Sequence, residues 1–146
     1  MKKLIKISLI IFLVFACKKN QKEQVKISTS NFDLKSDLTD FKQKMTELDT
    51  LTVLFDHSIC TYQGFERIKI TKESNSIRVH SEFKESSFND NEWDLVYDKR
   101  IPTNDTIWQF GQFVERNLER QVSNEKDRAI LTVTNNKDTI QFFTSG

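Results

Sequence analysis

Cys60 and His57 are the residues of this 146-residue chain best suited to covalent chemistry, three positions apart in Asp56-His57-Ser58-Ile59-Cys60. The thiolate is the reactive form of cysteine, and a neighbouring imidazole is a common way to generate it. On a strand, residues three apart point to opposite faces, so this pair could meet only in a loop. The other reading is an inert Cys at a strand end beside an exposed His. His57, His80 and Cys60 could together offer three zinc ligands, but no two of them share a recognisable ligand spacing. His80 also falls on the polar side of its strand, with Arg78 and Lys84. Asn89-Asp90-Asn91-Glu92 followed by Asp94 gathers oxygen ligands, without the glycine and distal glutamate of an EF-hand loop. A Gly-rich phosphate loop, a nucleophile elbow and a paired-Cys motif are all absent. With 21 Asp and Glu, no pair such as Asp94 and Asp98 is singled out as acid and base. The expectation is therefore a protein that is not an enzyme, with no catalytic residue, metal or cofactor. A Cys60-dependent enzyme stays as a second alternative.

Aromatic residues are the more informative group, since accessible Trp and Tyr are common anchors for partners. On a helical wheel Trp108 lies about 100° from Ile107, outside the apolar stripe, with Phe113 on the other flank. Trp93 and Tyr97 share one face of a predicted strand with Leu95. Trp108, Phe113, Trp93 and Tyr97 are the candidate partner-binding residues, unless a wide stripe or a curved sheet buries them. Phe142 and Phe143 are adjacent in the last strand and point to opposite faces unless that strand is bulged.

The elements that must position these residues are read from hydrophobic periodicity. Leu34, Leu38, Phe41, Met45 and Leu48 recur at helical spacing after the start signals Ser30 and Asp33, predicting an amphipathic helix. The period then changes to two. Thr50 to Phe55 predicts a strand, and Phe65 to Lys72 and Ile77 to Lys84 predict a hairpin about the turn at Glu73-Ser74-Asn75-Ser76. After the polar Ser86 to Asn91 comes the strand of Trp93, Leu95 and Tyr97. Pro102-Thr103-Asn104-Asp105 marks a second helix start, with Ile107, Phe110, Gly111, Val114, Leu118 and Val122 as its buried stripe. Ala129 to Thr134 and Thr139 to Thr144 form a last hairpin. The predicted class is α+β, in the order αββββαββ: one antiparallel sheet of about six strands with two amphipathic helices on one face. Helix followed by hairpin occurs twice, with no residue-level repeat beneath it.

Hydrophobic residues make up 37% of the chain and twelve are Phe, enough for a core, while three Gly and one Pro exclude collagen-like architectures. The 22 basic residues include Lys2, Lys3 and Lys6, and the rest of the chain carries 19 basic against 21 acidic groups, a net of −2. That balance gives nucleic-acid binding no electrostatic support. Ile7 to Ala16 is apolar except for Ser8 and spans about 15 Å as a helix, half a membrane core, which suits a signal peptide.

Val14-Phe15-Ala16-Cys17, followed by Lys18-Lys19-Asn20, resembles the lipobox of bacterial lipoproteins. The resemblance covers only about the first twenty residues and names no family for the folded part. It implies removal of residues 1–16 and a diacylglycerol on Cys17, whose two or more acyl chains hold a protein on a membrane stably. The alternative is an ordinary signal peptide cut near Ala16 that leaves a free thiol. In this family Lys18, in place of an Asp, permits transport to the outer membrane, and the absence of an acidic cluster favours a periplasm-facing domain. Residues 17–30 would be the lipidated Cys and a polar tether reaching about 40 Å, and residues 31–146 a single domain. The expected role is an envelope binding module whose partner is an envelope protein, a peptide or a small apolar ligand in the concavity of the sheet. A small enzyme inhibitor or immunity-type lipoprotein using residues 86–92 is the alternative.

Overall fold

Alternation of apolar and polar residues drives six segments of this chain into one antiparallel sheet. The computed structural model describes residues 29–85, 92–123 and 127–144. The strands are β1 (Thr50–Asp56), β2 (Gly64–Glu73), β3 (Ser76–Glu85), β4 (Asp94–Pro102), β5 (Arg128–Thr134) and β6 (Thr139–Thr144). They lie in the order β4-β3-β2-β1-β5-β6, so the sheet is open, with β4 and β6 at its edges. The helical segments are short: α1 (Leu34–Asp37), α2 (Phe41–Lys44), α3 (Phe110–Arg116) and a 3₁₀ turn at Leu118–Gln121. The molecule is thus mostly sheet with some helix.

Period two decides which residues meet. Leu51 and Val53 of β1, Ile70 of β2, Ile77 and Val79 of β3, Leu131 and Val133 of β5, and Ile140 and Phe142 of β6 are all buried. They form one cluster with Leu34, Leu38, Phe41, Met45 and Val114 from the helical segments. Each such side chain contributes up to about 1.5–3 kcal/mol by leaving water. The intervening residues, among them Thr52, Lys69, Arg78 and His80, face the other way.

The helical segments depart from expectation. The predicted first helix is two short ones separated at residues 38–40, where Thr39 and Asp40 are weak helix formers. Asp33 caps α1 by accepting from the amides of Lys35 and Ser36, and these bonds hold its carboxyl below the usual range. The break keeps Leu34, Leu38, Phe41 and Met45 inside but leaves Leu48 52% exposed. Pro102 does not start a helix; it ends the edge strand β4, where a missing N–H costs no ladder bond. Asp105 then accepts from the amides of Ile107 and Trp108 at 3.1 and 2.7 Å, a local turn that delays the helix to Phe110. Of the expected stripe, Val114 and Gly111 are buried, whereas Ile107 is 90% exposed and Leu118 and Val122 are also exposed.

The strand containing Trp93, Leu95 and Tyr97 is corrected as well. Ser81 pairs with Tyr97 but Glu82 pairs with Leu95, so a bulge at Val96 intervenes. Tyr97 turns to the covered face, while Leu95 is exposed. Residues 1–28 and 86–91, which include the lipobox and most of the polar loop, lie outside the described residues.

Candidate functional site

Across the centre of the uncovered face runs a groove of about 810 Å³. Thr50 and Thr52 of β1, Arg67, Lys69 and Thr71 of β2, and Arg78, His80 and Glu82 of β3 line it, with Asn136 of the β5–β6 turn at its rim. The sheet's register places them: Thr50 lies opposite Thr71, Thr52 opposite Lys69, and Lys69 opposite His80. Because neighbouring strands sit about 4.8 Å apart, these side chains form a contiguous polar surface and not a scatter of charges. Its volume is within the range usual for ligand sites, roughly 300–1,000 Å³.

Most of its charges are matched. Both Arg67 Nε and Nη2 donate to Glu82 Oε2, at 2.9 and 2.7 Å, and the same guanidinium lies 4.3 Å from the ring centre of Trp93. Arg78 grips Asp98 with two bonds, Nε to Oδ1 at 2.8 Å and Nη2 to Oδ2. His80 bridges the pairs, with Nδ1 3.2 Å from Asp98 Oδ2 and Nε2 3.6 Å from Glu82 Oε1. Arg100 is paired with Glu73. The Arg78 hydrogen bonds hold the Asp98 carboxyl well below the usual carboxylate range against the opposing effect of desolvation. Those from Arg67 do the same for Glu82 to a smaller extent.

Lys69, at the middle of the groove, is exposed and has no ion pair or hydrogen bond among the described residues. The hydroxyls of Thr50, Thr52 and Thr71 beside it are likewise without a protein partner there. The site therefore offers one unmatched cation flanked by three hydroxyls, within walls of neutralised Arg–carboxylate pairs.

The residues singled out from sequence lie elsewhere or at the margin. Trp93, held by Arg67, borders the groove. Trp108 is half-buried, edge-on to Phe41 at 5.9 Å and stacked on Phe110 at 5.9 Å, and precedes α3, so its wheel position does not apply. Phe113 is 41% exposed but stacks on Phe110 at 6.1 Å. Burial first, and then the charge of Glu66, push the Tyr97 hydroxyl above the ordinary tyrosine range. Phe142 is buried and Phe143 half-buried.

Cys60 sits exposed at the tip of the β1–β2 connection with φ of 49°, in the two-residue turn between the bridged residues Ile59 and Tyr62. His57 instead stacks on Phe55 at 4.2 Å, and its Nε2 lies 3.5 Å from Glu66 Oε2, an ion-pair distance without hydrogen-bond alignment. The other oxygen of Glu66 accepts from the fully buried Ser81 at 2.7 Å. These contacts tie His57 to Phe55 and Glu66, and Ser81 to Glu66. Among the described residues no His, Cys, Asp and Glu cluster is suited to a metal ion, and no helix is long and apolar enough to cross a membrane.

The groove residues were visible in the sequence only as the polar half of an alternating pattern. The signal that separates them from an ordinary solvated face is their composition, threonine and charge, which on β1 gives way to the exposed Leu54 opposite Arg67. Compared with known proteins, the chain matches no family model and has no significant similarity to a curated protein or to a solved structure.

Proposed function

We propose that this chain is a lipid-anchored module of the bacterial envelope that binds a ligand through the uncovered face of its sheet and performs no catalysis. In this reading residues 1–16 are a signal peptide, Cys17 carries the lipid, residues 18–30 are a tether, and the domain faces the periplasm from the outer membrane. The helical segments and the order αββββαββ serve to brace one face so that the other is free. The observation that carries the binding reading is the groove itself, a surface of nine side chains whose central polar groups have no partner among the described residues. Its lining favours a polar ligand over the small apolar one expected from sequence.

Two experiments test this. Cys17→Ala should move the protein from the membrane to the soluble fraction; continued membrane association would defeat the anchor. Lys69→Glu should abolish retention of a detergent-solubilised envelope component on the immobilised protein, whereas Lys99→Glu, also exposed but on the edge strand, should preserve it. Equal retention by both variants would remove the groove from consideration.

A further inference from the structure

We infer that the ligand of the groove is an acidic sugar, a single carboxylate on a hydroxyl-rich frame. This rests on the reading of the uncovered face as the binding surface, and it names the chemistry that surface would recognise. The argument begins with charge. Arg67 and Arg78 are each bonded to a carboxylate, and only Lys69 among the groove's described cations is unmatched. One unmatched cation suits a monoanion. A phosphate monoester carries about 1.5–2 charges, and an anionic lipid surface rewards several cations at once.

Hydroxyls decide the rest. Thr52 stands directly across from Lys69, Thr71 follows it on the same side of β2, and Thr50 stands across from Thr71. Each hydroxyl both donates and accepts, as sugar hydroxyls do, and none has a partner among the described residues. The amide of Asn136 extends this pattern at the rim. Among the described residues no aliphatic side chain lines the groove, and its two aromatic rings, His80 in the wall and Trp93 at the border, are held by carboxylates and by Arg67, so it offers no apolar pocket for an acyl chain or for the apolar side chains of a peptide. A carboxylate seated on Lys69 would place the sugar ring over the β1–β2 threonines, where its hydroxyls replace water on unsatisfied groups.

The test is calorimetric titration of the full-length protein in detergent with glucuronate, a glucuronate-ended disaccharide, glucose and glutarate. The disaccharide should bind most tightly, with glucose and glutarate each at least about tenfold weaker, since each lacks half of the recognised groups. Lys69→Gln should lose about tenfold or more, and Thr52→Val, which keeps shape and removes the hydroxyl, several-fold. Both positions lie on the uncovered face, and unchanged melting curves would show that the variants fold. Equal binding of glutarate and glucuronate would overturn the role of the threonines. Undiminished binding by Lys69→Gln would overturn the site, and tighter binding to phosphatidylglycerol vesicles or to a polyglutamate peptide would overturn the ligand class. If no sugar acid binds while Lys69→Glu still loses the envelope component, the ligand class is wrong and the binding face stands. If neither effect is seen, both fall.

Discussion

Gly111 allows a stringent test of how the helical segments meet. A methyl group at this position would lie 2.0 Å from the carbonyl oxygen of Thr39, 3.1 Å from its carbon and 3.6 Å from its Cα. An ordinary carbon–oxygen approach is about 3.3–3.6 Å, so the two segments would have to part by more than about 1 Å. Every atom in the way is backbone, and the Thr39 carbonyl belongs to the short break between α1 and α2, where Leu38 and Phe41 anchor both ends in the core. Two effects oppose each other in Gly111→Ala. Alanine improves helix propensity by up to about 1 kcal/mol. Overpacking against fixed neighbours costs about 1–3 kcal/mol, and a contact this short belongs at or beyond the upper end. The strain wins, for a net loss of about 2 kcal/mol. At about 4 °C per kcal/mol for a domain of this size, the melting temperature should fall by about 8 °C. Thermal denaturation followed by circular dichroism reads this directly. Gly64→Ala is the control, because the atoms nearest its methyl are the ring end of Tyr62, which can swing aside, and its loss should stay below about 1 kcal/mol. A Gly111→Ala variant as stable as the wild type would refute the packing of α3 on the α1–α2 break.

Other expectations follow from the same contacts. Phe41→Ala should cost about 3–5 kcal/mol in chemical denaturation, since its ring is buried and touches Trp108 and Phe110, while Ile107→Ala should change stability by less than about 0.5 kcal/mol. Trp108→Ala should lose about 1–3 kcal/mol, less than a fully buried aromatic, because the side chain is half-buried. Asp98 and Glu82 bind protons less readily in the folded protein than in the unfolded chain. Their contribution is therefore complete above the ordinary carboxylate range, about pH 4, and is lost as pH falls below it. Melting curves should show a steeper loss below about pH 4 for the wild type than for Asp98→Asn; parallel curves would contradict the Arg78–Asp98 contribution.

The sheet was legible in the sequence because its signal is strong and local. Ile68 and Ile70, then Ile77 and Val79, alternate with charged residues on either side of a polar turn, and only a hairpin satisfies that pattern. The left-handed Ser74, at φ of 52°, falls inside that turn. The helical segments were harder to read, because spacing of three and four residues is satisfied equally by one helix or by two short turns on the same core. Leu34, Leu38, Phe41 and Met45 are inside either way, and the break at Thr39 and Asp40 sets the Thr39 carbonyl against Gly111, 72 positions along the chain, an approach no local pattern reveals. Ile107, Leu118 and Val122 were counted into a stripe that Asp105 and the 3₁₀ turn cut short at both ends. No local pattern warned of the bulge at Val96, which separates Tyr97 from Leu95. The groove was hidden for a different reason. The polar residues of β2 and β3 read as a solvated face, and their convergence with the threonines of β1 depends on β1 lying between β2 and β5, an order set by pairing and not by local pattern.

Occupation of the uncovered face in the envelope is open to lysine footprinting on native membranes. Lys44, Lys69 and Lys99 are all exposed. Each would be acylated briefly in intact envelopes and in the purified protein, and the extent read by mass spectrometry. Lys69 should react several-fold more slowly in the envelope than after purification, while Lys44 and Lys99 keep their rates. The same rate for Lys69 in both settings would mean that nothing sits on that face.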